Sequence, residues 1–273
     1  MLNEGYFDKI YYRFWQGEEV FANVFAIHGL GGHCVWFDNA GQLFNKNKIN
    51  LFSFDLPGFG QSKYPKGTID SYKTWINTTR ETLGKFLQTR NVTAPVFILG
   101  HSMGALIAIM LAKSVRASGW IISVPGFEGY DKTWPFKNFI LPVLLKSIFK
   151  PQENVVVPFG PELLTKNKET QAGVKKDPLR VVNLTANVYK EVYLLTQSTK
   201  MSIDNVKGPV LLLQAGKDSI CSNVAMDEYF NKITLSDKSK KVYENSFHDL
   251  FIGDELEQIV TDITGWIKDH ILQ

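Results

Sequence analysis

The chain has 273 residues, 44% of them hydrophobic, and a formal net charge of +3. That length and apolar content suit one large domain, or a core domain carrying an insertion, and exclude a disordered chain. The small charge, with lysines scattered singly or in the short stretch from 238 to 241, reads as a solvated surface and excludes nucleic acid as a partner.

The N-terminus carries early acids, Glu4 and Asp8, and no apolar core segment, so no signal peptide is expected. Tyr6 to Trp15 reads as one or two strands. Val20 to His28 is a buried strand stopped by Gly29-Leu30-Gly31-Gly32, and Ile49 to Asp55 is the next, stopped at Leu56-Pro57-Gly58. Ser71 to Arg90 has a helical stripe of Trp75, Ile76, Thr79, Leu83, Phe86 and Leu87, with Ser71 placed to cap it. Val96 to Leu99 is a short buried strand, Ala105 to Ser114 a helix apolar nearly all round, and Trp120 to Val124 a strand.

The alternation then lapses. Residues 127 to 206 show mostly helical stretches and few strand signals. It resumes with a strand at Pro209 to Ala215, a helix at Val224 to Ile233, a short strand at Lys240 to Tyr243 and a closing helix from Asp254 to Leu272. Apolar strands alternating with helices predict an α/β fold: a mostly parallel central sheet with helices on both faces. The core is expected over 1–126 and 207–273, with 127–206 inserted as a helical cap beyond the carboxyl ends of the strands, where ligands of such sheets sit.

The longest apolar stretch, Phe136 to Phe149, is broken by Lys137, Asn138, Pro142, Lys146 and Ser147, and is too short and too polar to span a bilayer. The chain is therefore expected to be soluble and cytoplasmic. The two cysteines, Cys34 and Cys221, lack metal-ligand neighbours at useful spacing and read as packed thiols in a reducing compartment.

The chemistry-bearing string is Gly100-His101-Ser102-Met103-Gly104. A G-x-S-x-G arises by chance in about one chain in ten of this length, so its context must decide. Here it joins a buried strand to a buried helix, the setting of a nucleophile elbow. A serine nucleophile needs a base oriented by an acid, in the chain order Ser, acid, His. Of five histidines, only His248 and His270 follow Ser102. His270 ends the closing helix, whereas His248 follows the last strand directly. Asp218 immediately follows a buried strand and is the candidate acid; Asp249, beside His248, is the rival. An oxyanion hole needs two backbone N–H groups, expected from Met103 and from Leu30 in the glycine loop.

These residues together resemble the α/β-hydrolase fold across nearly the whole chain. Within it, GHSMG, Asp177-Pro178-Leu179 and His248-Asp249-Leu250-Phe251 look like the monoacylglycerol lipase and lysophospholipase branch of serine hydrolases. The chain departs from that branch at Gly32-His33, where the branch often has Glu-His, and the loop Asp55 to Ser62 looks more like general esterases. The resemblance implies a Ser102/Asp218/His248 triad, no metal or organic cofactor, and a helical cap over an acyl pocket. The expected activity is that of a serine carboxylester hydrolase acting on a mono-acyl lipid ester. Two alternatives remain open: an esterase on small or aryl esters, or a peptide-acting hydrolase of the same fold; and a hydrolase-fold ligand-binding protein. The apolar run Trp134 to Leu145, with Lys137, Lys146 and Lys150 around it, suits pocket lining ahead of transient membrane-surface contact. A monomer or small homo-oligomer is expected.

Overall fold

The computed structural model describes residues 1–90, 92–202 and 206–271. An eight-stranded sheet forms its centre, built from β1 (Leu2–Phe7), β2 (Ile10–Trp15), β3 (Ala22–Ile27), β4 (Ile49–Phe54), β5 (Val96–His101), β6 (Gly119–Ser123), β9 (Val210–Ala215) and β10 (Lys238–Tyr243). Its order is β1-β2-β4-β3-β5-β6-β9-β10. β1 and β2 pair antiparallel, β2 joins β4 antiparallel, and all later pairings are parallel.

The central strands β3, β4, β6 and β9 are buried at every position. Their apolar runs are continuous because helices cover both faces. On one face lie α2 (Tyr72–Thr89), α3 (Met103–Leu111) and, further along the chain, α6 (Ala186–Lys200), over a core that includes Phe25, Phe52, Trp75 and Phe86. On the other, α1 (Asp38–Lys46) and α8 (Leu256–Asp269) pack together over Phe37, Phe44 and Ile263, and α7 (Asn223–Lys232) links β9 to β10. The edges are blunted in different ways. β1 alternates exposed and half-buried residues, and β10 (KSKKVY) points lysines outward, Lys240 pairing with Asp227 at 2.7 Å and Lys241 with Asp262 at 3.2 Å.

Ser71 caps α2 by accepting from Lys73 N, and Trp75, Thr79, Leu83 and Phe86 of the expected stripe are buried, while Leu87 is exposed. The closing helix runs from Leu256 to Asp269; the expected endpoint Leu272 lies outside the described residues. α1 had no clear sequence signal: its N-cap is Phe37, with no side-chain cap, and its buried face is Ala40, Gly41 and Phe44.

Between β6 and β9 the chain forms a π-helical turn (Phe136–Ile140), α4 (Leu141–Phe149), α5 (Lys168–Lys176) and α6. It also forms an unexpected small antiparallel pair, β7 (Asn154–Val156) against β8 (Asn183–Thr185), whose strands flank α5 in the chain. Three-residue strands carry too little periodicity to read. α6 packs on α2, α3 and α4, and its buried Glu191 accepts from Tyr72 N at 2.9 Å. A carboxylate there meets the positive end of α2.

Candidate active site

Ser102 sits between β5 and α3 at φ 55° and ψ −114°, a conformation that a non-glycine residue holds only under constraint from its surroundings. The constraint is close packing. A side chain at Gly100 would strike Ala105 N at 2.7 Å and also the Gly104 carbonyl. Ser102 N donates to Ser123 O at 2.9 Å, tying the turn to β6.

The Ser102 Oγ–H donates to His248 Nε2 at 3.0 Å. The His248 Nδ1–H donates to Asp218 Oδ2 at 2.8 Å. The other Asp218 oxygen accepts from Ile220 N at 2.8 Å and Cys221 N at 2.9 Å, which fixes the carboxylate. Each residue follows a strand at the same sheet edge: β5, β9 and β10 deliver Ser102, Asp218 and His248. Burial pushes the His248 pKa down, but the Asp218 carboxylate, with Asp249 behind it, outweighs this and leaves it raised above 6.5. The imidazole is thus oriented to take a proton from Ser102 and to be stabilised once charged. Asp218, the Cys221 thiol and His248 lie within 4.8 Å of one another. Both Asp218 oxygens and both His248 nitrogens are already hydrogen-bonded, so the cluster offers few free donor atoms to a metal.

Leu30 and Met103 both line the cavity beside Ser102. Met103 opens α3, so its N–H belongs to the first turn and has no partner within the helix. Leu30 sits in a turn closed by Gly32 N donating to Gly29 O at 3.2 Å. His28 supports that loop: its Nδ1–H donates to Gly29 O at 2.8 Å and its Nε2 accepts from Leu56 N at 3.0 Å. Burial holds the His28 pKa down at about 4, which keeps it neutral for this bridging role.

Two features escaped the sequence reading. His33 Nε2 and Trp36 Nε1 converge on Asp177 Oδ2 at 2.7 and 2.9 Å, and Val181 N donates to Gly31 O at 3.0 Å, so the segment 177–181 clasps the glycine loop. Asp249, read as a rival acid for His248, faces His101 instead, at 3.6 Å. Both thiols are buried and unpaired.

The site opens into a cavity of about 370 Å³. Phe136, Ile140, Val143 and Leu144 line it from the π-helical turn and α4, and Tyr189 and Val192 from α6. Glu128, Asp131 and Lys200 also reach it, and Asp249 borders it beside His248.

A parallel sheet that presents a strained serine, a carboxylate and an imidazole along one edge, in that chain order, defines the class of the α/β-hydrolases. Within it, residues 18–255 match the model of the family described as serine aminopeptidase, S33, and the chain belongs to that family. It is 25% identical over 263 residues to phospholipase YtpA of Bacillus subtilis, covering 94% of this chain and 99% of that one. It is 25% identical over 264 residues to the monoglyceride lipase of Rattus norvegicus, covering 92% and 83%. Its fold is that of a soluble variant of monoglyceride lipase from Saccharomyces cerevisiae solved with a substrate analogue (TM-score 0.87, 22% identity, 99% of this chain and 95% of that chain).

Proposed function

We propose that this chain is a carboxylic ester hydrolase of the monoacylglycerol lipase kind, cleaving a mono-acyl lipid ester through an acyl-enzyme. The observation that carries the reading is the hydrogen-bonded line Ser102–His248–Asp218 opening into a largely apolar cavity. Ser102 attacks the ester carbonyl while His248 takes its proton, and Asp218 holds the imidazolium. The N–H groups of Leu30 and Met103 hold the oxyanion. His248 then protonates the leaving alcohol and activates water for deacylation. Residues 127–206 act as the cap. α4 divides between two tasks: Val143 and Leu144 line the acyl cavity, whereas Leu145, Ile148 and Phe149 point to solvent as an apolar face that rests on a lipid surface. Among the described residues, no helix is long and apolar enough to cross a membrane.

A second reading, a peptide-acting hydrolase, draws on Glu128 and Asp131, two carboxylates at the cavity suited to a peptide amino terminus. The test that separates the two is product release from a monoacylglycerol series of increasing chain length, beside aryl esters and aminoacyl amides, with Ser102→Ala in parallel. Fatty-acid release that peaks at a medium or long chain and vanishes in the variant supports the lipase. Faster cleavage of aminoacyl amides than of any ester moves the assignment to the peptide reading.

A further inference from the structure

His248 is followed by a second buried acid. Asp249 is 4% exposed, its N–H donates to Leu164 O at 2.9 Å, and one carboxylate oxygen accepts from Phe251 N at 3.0 Å. The other oxygen stands 3.6 Å from His101 Nε2, ion-pair range rather than a hydrogen bond. His101 immediately precedes the nucleophile, and its ring lies against that of His248 with centroids 5.4 Å apart. Its Nδ1 is 3.3 Å from Ser123 Oγ. An acid and an imidazole are therefore packed behind the acid and imidazole that serve Ser102.

The titratable groups around Asp249 are few. His101 faces it from β5, with His28 beyond; His248 adjoins it on its own loop, and Asp218 and Cys221, from the loop after β9, gather around His248. Among the described residues, no lysine or arginine pairs with it. Burial pushes its pKa up to about 6, against the pull of His248 and the Phe251 and Ile252 N–H groups. Burial and the neighbouring His248 hold the His101 pKa well below its ordinary value, so His101 stays neutral. A carboxylate that is costly to bury, and whose ion-pair contact is with a neutral ring, needs a positive charge to face. The reaction creates one only at His248.

We propose that Asp249 is a positioning residue for the reaction: a second carboxylate that steadies the imidazolium of His248 while it holds the Ser102 proton. The inference rests on the acyl-transfer reading above. As the Oγ–carbon bond forms, the Ser102 proton moves to His248 Nε2. It passes to the leaving oxygen as the ester C–O bond breaks, and Asp249 keeps its charge throughout.

Asp249→Asn tests this, because the amide oxygen still accepts from Phe251 N. The readout is the pH dependence of kcat and kcat/KM on a soluble aryl ester, with the melting temperature alongside. His248 loses an anion that favours its protonated form. The acid limb is therefore expected to move to lower pH by about half to one unit. The plateau kcat is expected to fall about tenfold with KM little changed. A profile superimposable on that of the wild type, with only the melting temperature lowered, reduces Asp249 to a loop-capping residue and overturns the inference. Should the variant not fold, the imidazole 15N signals of His248 in the wild type decide. Two coupled inflections, one near pH 6, are expected, and a single-ionisation curve overturns the proposal. A folded wild type that cleaves no ester removes the acyl-transfer reading and this inference with it, whereas an active wild type with an unchanged variant removes the inference alone.

Discussion

His33 Nε2 and Asp177 Oδ2 lie 2.7 Å apart across 144 residues of chain. The contact joins the glycine loop, which carries the proposed oxyanion donor Leu30, to the proposed cap. Trp36 Nε1–H donates to the same oxygen and Leu179 N–H to the other, so the carboxylate is saturated from both sides. Burial would raise the Asp177 pKa, but these bonds outweigh it and lower it to about 2. A depressed acid stabilises the fold above its unfolded value, 3.8, and loses that contribution only as pH falls through about 2. The clasp is thus closed at every pH at which an esterase would be assayed.

Asp177→Ala leaves the nearly buried His33 and the Trp36 N–H without their acceptor. Stability should fall by about 1–3 kcal/mol, measured by urea unfolding. If the clasp also holds Leu30 in place, kcat on a soluble ester should fall further than KM rises. An unchanged kcat would mean that the glycine loop keeps its shape without the cap.

Activity should follow the ionisation of His248. Its pKa is raised above 6.5, and the neutral ring is the base. The rate should therefore rise with pH through a value above 6.5 and then level. The stability that His248 gains from Asp218 runs the other way: it is full below 6.5 and is lost as pH rises through the folded value. A rate profile already flat at pH 6 would contradict this assignment.

Gly104→Ala sets two effects against each other. Alanine gains about 1 kcal/mol over glycine inside a helix. The added methyl, however, would meet His28 O at 2.7 Å and also the Ile27 carbonyl, backbone at the end of a buried strand. Forced overpacking costs about 1–3 kcal/mol, so the variant should be less stable than the parent by thermal melting.

The sheet was legible because its central strands are buried on both faces and read as continuous apolar runs, as in Ile49 to Phe54. The arrangement of Ser102, Asp218 and His248 was legible for a related reason: each directly follows a strand of a parallel sheet, and such strands end on one edge. What stayed hidden lacked a local signature. The edge strand Leu2–Phe7 is half exposed, and α1 has neither a polar cap nor a full apolar stripe. His33–Asp177 and His101–Asp249 are contacts between residues more than a hundred positions apart, and no periodicity announces them. Asp249 adjoins the His248 ring in sequence, whereas in the fold its carboxylate faces the imidazole of His101 at the end of β5, 3.6 Å away.

The outer face of α4 should matter only when substrate is presented in a lipid surface. Ile148 and Phe149 are 68% and 80% exposed, and neither lines the cavity. The double change Ile148→Ser, Phe149→Ser should leave hydrolysis of a soluble aryl ester unchanged. It should lower both co-sedimentation with phospholipid vesicles and the rate on monoacylglycerol held in them. Equal binding of variant and parent to vesicles would remove the surface-docking role.

The central claim is that Ser102 is a nucleophile at the end of an acyl cavity, and covalent capture tests it most directly. The protein is treated with a long-chain alkyl fluorophosphonate, digested, and the adduct located by peptide mass spectrometry. The account predicts one adduct, on Ser102, absent in Ser102→Ala and slowed by prior addition of monoacylglycerol. A folded protein that yields no adduct on Ser102, or yields one at the same rate whether or not monoacylglycerol is present, would contradict it.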